Sequence, residues 1–280
     1  MFSVCTVAYG PHTDLLRKLL DSIIMSQPPR GMITDLRIGL NDVSQETFNL
    51  VMQFCGNRLT GTNCYVYVPA KNVGKYPLMR RMFYDQKAPL AKLVMWFDDD
   101  SHLGPAVGSV WWQQAVAATS ATVMIGRTHA LAQRRQQYTM IPRQPWFGSK
   151  HVHEKHVYFF VTGGWWVTQS ANLTKFDYPW PDIHHNGGDS MLGEMMRQQG
   201  IRLANFQYAD CHCDACIDKS RPVNRPDCVQ INVGGLSGRR GIGKRNEFYV
   251  WQDGKPTDRS HQIFDCTVYR FQACSSTQNG

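Results

Sequence analysis

Three consecutive aspartates, Asp98, Asp99 and Asp100, follow the apolar run of residues 94–97. Adjacent carboxylates repel one another, so a cation or solvent must neutralise them where they end a buried strand. Mg²⁺ and Mn²⁺ bind carboxylate oxygens, often one or two from protein together with phosphate oxygens from a substrate. Side chains alternate along an extended segment, so Asp98 and Asp100 can share one face while Asp99 turns away. This acidic run therefore predicts a site for a divalent cation, and a solvated acidic turn is the alternative.

Cysteines supply a second candidate metal site. Four of the nine cysteines lie close together, at Cys211, Cys213, Cys216 and Cys228. Sets of four thiolates bind zinc, although this spacing is not a double Cys-x₂-Cys pattern. Reduced cysteines in a loop are the alternative. Because the N-terminal residues do not form a signal peptide, we expect reduced thiols rather than a disulfide framework.

The composition is that of a folded protein outside the membrane. The chain has 280 residues, of which 42% are hydrophobic and 11% aromatic, which is enough for a sizeable core. This length fits one large domain, or one domain with an appended piece. No window approaches the roughly 18 apolar residues of a membrane span. We therefore expect a soluble, cytoplasmic protein, in the host cytoplasm if the chain is viral.

Positive charge is concentrated in two stretches of the chain. The formal net charge is +8, and residues 127–156 and 219–245 hold much of the excess arginine and lysine. Such stretches attract polyanions, which include nucleic acid, phosphorylated ligands and acidic lipid surfaces. A soluble basic surface without a partner is the alternative.

The elements that must position the acidic run alternate between strand and helix. Apolar periodicity and turn residues predict strands over residues 2–9, 35–42, 64–70 and 91–100, and helices over residues 12–27, 44–56 and 75–86. This alternation is typical of a parallel sheet covered by helices on both faces. In such sheets, ligands bind outside the carboxyl ends of the strands. The acidic run lies at that end of the fourth strand.

The second half of the chain is less regular. We predict helices over residues 105–121 and 188–200, strands starting at residues 121 and 201, a strand pair over residues 156–172 broken at Gly163-Gly164, a loop over residues 132–155, and irregular structure over residues 209–245.

Five segments resemble, in order, the motifs of GT-A glycosyltransferases of the family-2-like branch. They are residues 2–27, residues 40–47, the Asn-x-Gly turn of residues 70–75, the Asp-x-Asp of residues 98–100, and residues 187–212. The resemblance implies an α/β fold of the GT-A, Rossmann-like kind, with a mixed, mostly parallel sheet flanked by helices. It implies a nucleotide-sugar-binding and catalytic domain over residues 1–210. Residues 211–280 would be an irregular, basic, cysteine-rich extension packed on its acceptor side.

The resemblance also implies roles for individual residues. Asp189 matches the catalytic base that deprotonates an acceptor hydroxyl in an inverting reaction, although acids are common in the first turn of any helix. Asp100 and His212 match ligands of Mn²⁺ or Mg²⁺, which would offset charge on a diphosphate leaving group. The residues matched to the donor, a UDP-sugar above all, are Thr6, Ala8, Tyr9, Asn41, Asp42, Lys71, Asn72, Gly74, Asp98, Asp99, Gly163 and Gly164.

Some positions depart from the family pattern. Gly188 stands where a glutamate usually precedes the helix aspartate. Asn41 and Val43 stand where Asp and Gly are common, which bears on nucleotide specificity. Asp100 and His102 form a second possible metal register, Asp-x-His.

The acceptor side combines aromatic and basic residues. Trp165 or Trp166 can stack on a sugar or a base, and burial in a core strand is the alternative. Arg239 and Arg240 lie in the glycine- and arginine-rich residues 234–245, which could bind phosphates.

Three kinds of acceptor or activity stay open from the sequence. The basic stretches favour duplex DNA, as in phage enzymes that glycosylate hydroxymethylated bases, with the target base flipped out of the helix. A saccharide or lipid-linked glycan is the alternative acceptor. A nucleic-acid-binding or nucleotidyl-transferring protein is the alternative class.

Overall fold

The computed structural model describes residues 1–57, 61–130, 147–148, 158–180, 188–206, 229–231, 251–252, 255–256 and 264–273. The strands are β1 (Phe2–Gly10), β2 (Ile33–Val43), β3 (Asn63–Pro69), β4 (Leu93–Asp98), β5 (Ser101–Leu103), β6 (Val123–Ala130), β7 (Tyr158–Gln169), β8 (Arg202–Asn205), β9 (Val229–Ile231), β10 (Trp251–Gln252), β11 (Lys255–Pro256) and β12 (Cys266–Phe271). The helices are α1 (Thr13–Met25), α2 (Gln45–Asn57), α3 (Lys75–Phe83), α4 (Ser109–Ala118), α5 (Ser170–Lys175) and α6 (Gly188–Gln198). None of these helices is long and apolar enough to cross a membrane.

Eight strands form the central sheet, in the order β12-β3-β2-β1-β4-β7-β6-β8. Four pairs are parallel: β1–β2, β2–β3, β1–β4 and β6–β8. Three pairs are antiparallel: β12–β3, β4–β7 and β6–β7. The chain runs outward from β1 through β2 to β3 and returns to the other side of β1 as β4. This reversal is a switch point, the place where open α/β sheets bind ligands. The predicted α/β fold, with a mixed, mostly parallel sheet, is confirmed.

Alternating residues of the central strands enter two cores, one on each face of the sheet. In β4, Met95 and Phe97 pack in the same hydrophobic cluster as α1, α2 and α4, while Val94 and Trp96 pack with α3 and α6. The period of two along a strand requires this separation. Because Asp98 follows Trp96 by two positions, its side chain belongs to the α3 side of the sheet.

A buried ion pair joins β1 and β2 to the segment that leads into β4. Arg37 is fully buried, and its Nε donates to Asp35 Oδ1 at 2.6 Å. Its terminal nitrogens donate to the carbonyl oxygens of Met82 and Pro89, at 2.5 and 2.8 Å. Ser3 Oγ donates to the second oxygen of Asp35 at 2.8 Å. The charges are therefore paired and hydrogen-bonded, which is the condition for keeping them inside a core.

The strand β7 corrects the prediction of a strand pair broken at Gly163-Gly164. Tyr158–Gln169 form one continuous strand. It lies between β4 and β6, pairing with β4 over Trp165–Gln169 and with β6 on both sides of the glycines, at Val161 and at Trp166. A register shift between Gly126 and Thr128 of the neighbouring β6 takes up the irregularity.

The C-terminal part of the chain contributes to the same sheet. β12 pairs antiparallel with β3, and Arg270 donates from Nη2 to the buried carboxylate of Asp85 at 3.0 Å. β9 pairs with β5, which lies directly after the acidic run. Residues 211–280, which we expected to form an irregular extension, therefore supply an edge strand of the central sheet.

One pair of cysteines corrects the expectation of reduced thiols. Cys55 of α2 and Cys64 of β3 form a disulfide, with Cα atoms 5.7 Å apart. The packing of α2 against β3 brings them together, which no spacing rule in the sequence indicates. Cys5 and Cys266 are free thiols. The four cysteines of the zinc hypothesis, Cys211, Cys213, Cys216 and Cys228, lie outside the described residues.

Candidate active site

The candidate site begins where β1 and β4 end side by side. Val7 of β1 pairs with Asp98 of β4. Beyond this pair, the backbone N–H of Tyr9 donates to Asp99 Oδ2 at 3.2 Å. Asp99 and Asp100 are buried, whereas Asp98 is partly exposed. The acidic run therefore lies at the switch point and is held there by the end of β1.

Lys75, the first residue of α3, neutralises Asp98. Its Nζ lies 2.5 Å from Asp98 Oδ1, and the Trp96 indole N–H donates to the same oxygen at 2.9 Å. The ammonium also lies 5.3 Å from the ring centroid of Trp96 and 5.6 Å from that of Tyr76, in the range of cation–π attraction. The Lys75 and Asp98 side chains are 22% and 26% exposed, so the pair lines a crevice that solvent reaches.

Burial and neighbouring charges shift the pKa values at this edge. Burial alone would lower the pKa of Lys75, but the Asp98 carboxylate, with smaller contributions from Tyr178 and Asp189, raises it above its usual value. Burial, with repulsion from Asp100 and Asp98, raises the pKa of Asp99 to about 7, although the Tyr9 N–H and Lys75 oppose the rise. Lys75 therefore stays charged at neutral pH, whereas Asp99 holds its proton more strongly than an ordinary carboxyl group does.

Asp189 lies close to the same crevice. It lies in the first turn of α6, and its Oδ1 accepts from the Ser190 N–H at 3.0 Å. Its charge acts on Lys75 and on the phenols of Tyr76 and Tyr178. The structure thus brings Asp189 near Asp98, although 91 positions separate them in the sequence.

A close approach of α6 to α3 makes this meeting possible. Gly188 faces Tyr76 so closely that a Cβ atom on Gly188 would overlap the tyrosine ring. A glutamate at this position, as in the family pattern, would not fit this packing. The departure at Gly188 therefore has a steric explanation.

Two asparagines hold the loop that leads into α3. Asn41 Oδ1 accepts from the Val73 N–H, and its Nδ2 donates to Asn72 Oδ1, both at 3.0 Å. Asn72 Oδ1 also accepts from the Gly74 N–H at 3.0 Å. Gly74 has a φ of +83°, which glycine adopts without steric cost. This clip on the end of β2 sets the position at which Lys75 begins the helix.

A cavity of about 260 Å³ opens beside this loop, at the ends of β2 and β3. Phe48 and Val68 supply apolar wall, and the polar lining includes Asp42, Lys71 and Asn72. Some of the donor residues matched from the sequence lie in two places. Asp42, Lys71 and Asn72 line this cavity, whereas Tyr9, Asp98 and Asp99 lie at the switch point.

Four of the matched donor residues do not present side chains at the crevice. Thr6 and Ala8 are buried inside β1, which pairs with β2 on one edge and β4 on the other. Gly163 and Gly164 lie within β7, and Gly164 is buried. The end of β1 therefore reaches the site through Tyr9.

The two adjacent tryptophans are core residues, which corrects their assignment to the acceptor. Trp165 is fully buried against Trp111 and Phe206. Trp166 enters the opposite core and stacks on Trp96, with ring centroids 6.1 Å apart. Neither indole can stack on an acceptor in this structure, because a strand inside the sheet buries successive side chains on both faces.

Comparison with known proteins indicates the kind of fold. No protein-family model matches the chain, and no curated protein matches it. Among solved structures, it is similar to the mannosyltransferase PcManGT from Pyrobaculum calidifontis in complex with GDP-Man and Mn²⁺, with a TM-score of 0.52 and 14% sequence identity. The match covers 73% of this chain and 54% of the mannosyltransferase, about half its length. The chain has a glycosyltransferase fold.

Two structures of S. aureus TarS are also similar. The TarS structure matches at a TM-score of 0.48 and 14% identity, over 74% of this chain and 35% of TarS. TarS 1–349 in complex with UDP-GlcNAc matches at 0.47 and 13% identity, over 75% of this chain and 60% of that one.

Within this glycosyltransferase fold, the acidic run has the right chemistry for Mg²⁺ or Mn²⁺ but does not form a closed metal site. Asp98 and Asp99 accept hydrogen bonds from different elements, and no three acidic, histidine or cysteine residues of the described part converge on one point. His102 lies in β5, with its Nε2 3.0 Å from Gln230 Oε1. His212 lies outside the described residues, as do Arg239 and Arg240. The described carboxylates fit only an ion whose remaining ligands come from elsewhere, such as donor phosphates.

Sequence reasoning missed Lys75, Tyr76 and Tyr178. One local signal pointed to Lys75: a cation in the first turn of a helix opposes the helix dipole, so it requires another partner. The tyrosines gave no such signal, since buried phenols also occur in ordinary cores.

Proposed function

We propose that the protein is a glycosyltransferase that moves a sugar from a nucleotide-sugar donor to a hydroxyl acceptor. The meeting of Asp98, Lys75 and Asp189 beside the switch point carries this proposal. A donor diphosphate needs cations nearby, and an acceptor hydroxyl needs a base. The crevice offers both. The fold shared with a mannosyltransferase solved with GDP-Man and Mn²⁺ supports a nucleotide-sugar donor.

Asp189 is the proposed base. Its carboxylate would take the proton of the acceptor hydroxyl while that oxygen attacks the anomeric carbon and the bond from this carbon to the diphosphate breaks. A single displacement of this kind inverts the configuration at the anomeric carbon. The Ser190 N–H on Asp189 Oδ1 and the contact of Gly188 with Tyr76 support a fixed position for the carboxylate.

The nucleotide is proposed to bind along the ends of β1, β2 and β3. The cavity of about 260 Å³ has apolar wall from Phe48 and Val68 and polar groups from Asp42 and Lys71, which suits a flat heterocycle with polar edges. Tyr9 and the acidic run would then face the ribose and the diphosphate. A UDP-sugar is the first donor to test.

A divalent cation, Mn²⁺ or Mg²⁺, is proposed to accompany the donor. We assign Asp100 to it, together with donor phosphate oxygens, and His212 remains a proposed ligand. When bound, the ion would offset the charge that develops on the departing diphosphate. Zinc at the four C-terminal cysteines is a separate proposal.

The proposed acceptor is duplex DNA that carries a hydroxymethylated base. The net charge of +8 supports a polyanionic acceptor, and Arg239 and Arg240 are proposed phosphate contacts. A cytoplasmic location would fit that substrate. Trp165 and Trp166 are buried, so neither is proposed to contact the acceptor. A saccharide acceptor is the alternative that the same experiment tests.

A donor and acceptor screen tests the proposal. Purified protein with Mn²⁺ would be incubated with UDP- and GDP-sugars and with hydroxymethylated duplex DNA, unmodified DNA or simple sugars, and release of nucleoside diphosphate would be measured. We expect acceptor-dependent release with hydroxymethylated DNA, and binding of DNA that weakens steeply with salt. Release with sugars alone would refute the DNA acceptor. If no combination of donor and acceptor releases nucleoside diphosphate, the proposed transferase activity is refuted.

A further inference from the structure

We propose that Lys75 is a built-in cation that binds the diphosphate of the donor, and that Asp98 is the partner of Lys75 in the unliganded protein rather than a metal ligand. The inference rests on the proposed transferase function. It concerns a residue that the family motifs did not single out.

The geometry of the pair supports this role. The ammonium carries three N–H groups, and among the described residues it donates to Asp98 Oδ1 alone. Asp98 Oδ1 accepts from both Lys75 and Trp96, so this oxygen is already saturated. Two donors on Lys75 therefore remain for a ligand in the crevice, while the nearer oxygen of Asp98 is taken.

The surroundings keep the ammonium in place and charged. Trp96 and Tyr76 lie at cation–π distance from Nζ, and the backbone of Lys75 is fixed as the first residue of α3. The amino end of α3 also carries unsatisfied backbone N–H groups and a partial positive charge. An anion beside Lys75 would be stabilised by both the ammonium and the amino end of α3.

The position matches the place where a diphosphate would lie. Lys75 follows the Asn41–Asn72 clip beside the cavity, and its ammonium contacts Asp98 at the switch point and lies near Asp189. A sugar diphosphate that extends from the cavity toward Asp189 must pass this ammonium. A cation there would bind the donor phosphates and stabilise the departing diphosphate.

The test compares a nucleoside with its diphosphate, in EDTA, so that metal plays no part. Calorimetry would measure the Kd values of uridine and UDP, and in parallel those of guanosine and GDP. For each variant, the ratio is the nucleoside Kd divided by the diphosphate Kd. We expect Lys75→Met to lower this ratio about tenfold or more, because a charge-assisted hydrogen bond is lost. Lys75→Arg should retain most of the wild-type ratio. Arg81→Met removes one charge from the same helix at its contact with Asp85 and should leave the ratio unchanged.

Asp98→Asn separates phosphate binding from a merely structural ion pair. If Lys75 binds the diphosphate, Asp98→Asn releases the ammonium and removes a repelling charge, so the ratio should rise or hold. If the pair only stabilises the fold, both Lys75→Met and Asp98→Asn should weaken nucleoside and diphosphate binding equally, and that result would overturn the inference. If the wild-type protein binds neither diphosphate in EDTA and binds neither after Mn²⁺ is added, the proposed function is overturned as well, whereas binding only with Mn²⁺ would overturn this inference alone. Wild-type binding with an unchanged ratio in Lys75→Met would overturn this inference alone.

Discussion

The backbone N–H of Tyr9 donates to the Asp99 carboxylate at 3.2 Å and thereby ties the end of β1 to the acidic run after β4. Asp99 is only 3% exposed and has two acidic neighbours, and the Tyr9 N–H and Lys75 do not offset the cost of its charge. Burial, then the charges of Asp100 and Asp98, raise its pKa from 3.8 to about 7.

This contact predicts how stability depends on pH. Between about pH 4 and pH 7 the folded protein holds a proton on Asp99 that the unfolded chain has lost, so the free energy of unfolding falls as pH rises through this window. The cost above pH 7 is on the order of 4 kcal/mol. In Asp99→Asn, urea unfolding in EDTA should show a gain over wild type that grows from about pH 4 to about pH 7. A constant difference across that window would contradict the prediction.

Removal of the proposed base should abolish most of the turnover. We expect Asp189→Asn to lower kcat by roughly 10²- to 10⁴-fold with little change in donor KM, because a general base acts on the transition state. Initial rates of nucleoside diphosphate release measure this. Glu46→Gln, at an exposed carboxylate of α2, is the matched control and should change kcat less than about twofold. Full activity of Asp189→Asn would refute the assignment.

The contact between Gly188 and Tyr76 predicts a steric effect on catalysis. Gly188→Ala should push the start of α6 away from α3, move the Asp189 carboxylate and lower kcat by roughly 10- to 100-fold. Gly56→Ala is the control, since its Cβ would meet no atom within 4 Å. That change should leave kcat unaltered and raise stability by about 0.5–1 kcal/mol. Equal kinetics of the two variants would argue against a tight α3–α6 contact.

The buried pair of Arg37 and Asp35 should matter for stability rather than for activity. Arg37→Met leaves the Asp35 carboxylate buried and unpaired, which costs about 3–5 kcal/mol in urea unfolding. Replacement of both residues, as Arg37→Met with Asp35→Leu, should recover part of the loss, because no lone charge then remains. If the double variant is no more stable than the single one, the loss stems from packing instead.

The disulfide between Cys55 and Cys64 gives a chemical prediction. Reduction should lower the free energy of unfolding by about 2–3 kcal/mol through the freedom regained by the unfolded chain. Thiol titration of denatured protein, before and after reduction, should differ by two thiols for this pair, and Cys55→Ser should remove the difference. An unchanged count would show that the pair is reduced.

The sequence by itself determined the order of the first strands and helices and the place of the acidic run. Leu16, Leu19, Leu20 and Ile23 repeat at helical spacing, and the apolar run before Asp98 reads as a buried strand. Such patterns depend on residues close together in the chain, so they can be read without the fold. The same alternation indicated that Asp98 and Asp99 face opposite ways, and they accept hydrogen bonds from α3 and β1 respectively.

Only the tertiary structure decided what neutralises the acidic run and which aromatic residues are buried. Lys75 reaches Asp98 because the chain crosses back from β3 to β4 over one face of the sheet, and Trp165 and Trp166 are buried because β7 lies between two other strands. β12 pairs with β3 across about two hundred positions of the chain. Contacts of this kind form when distant segments pack together, and the free energy that selects them comes from the whole core rather than from neighbours in sequence.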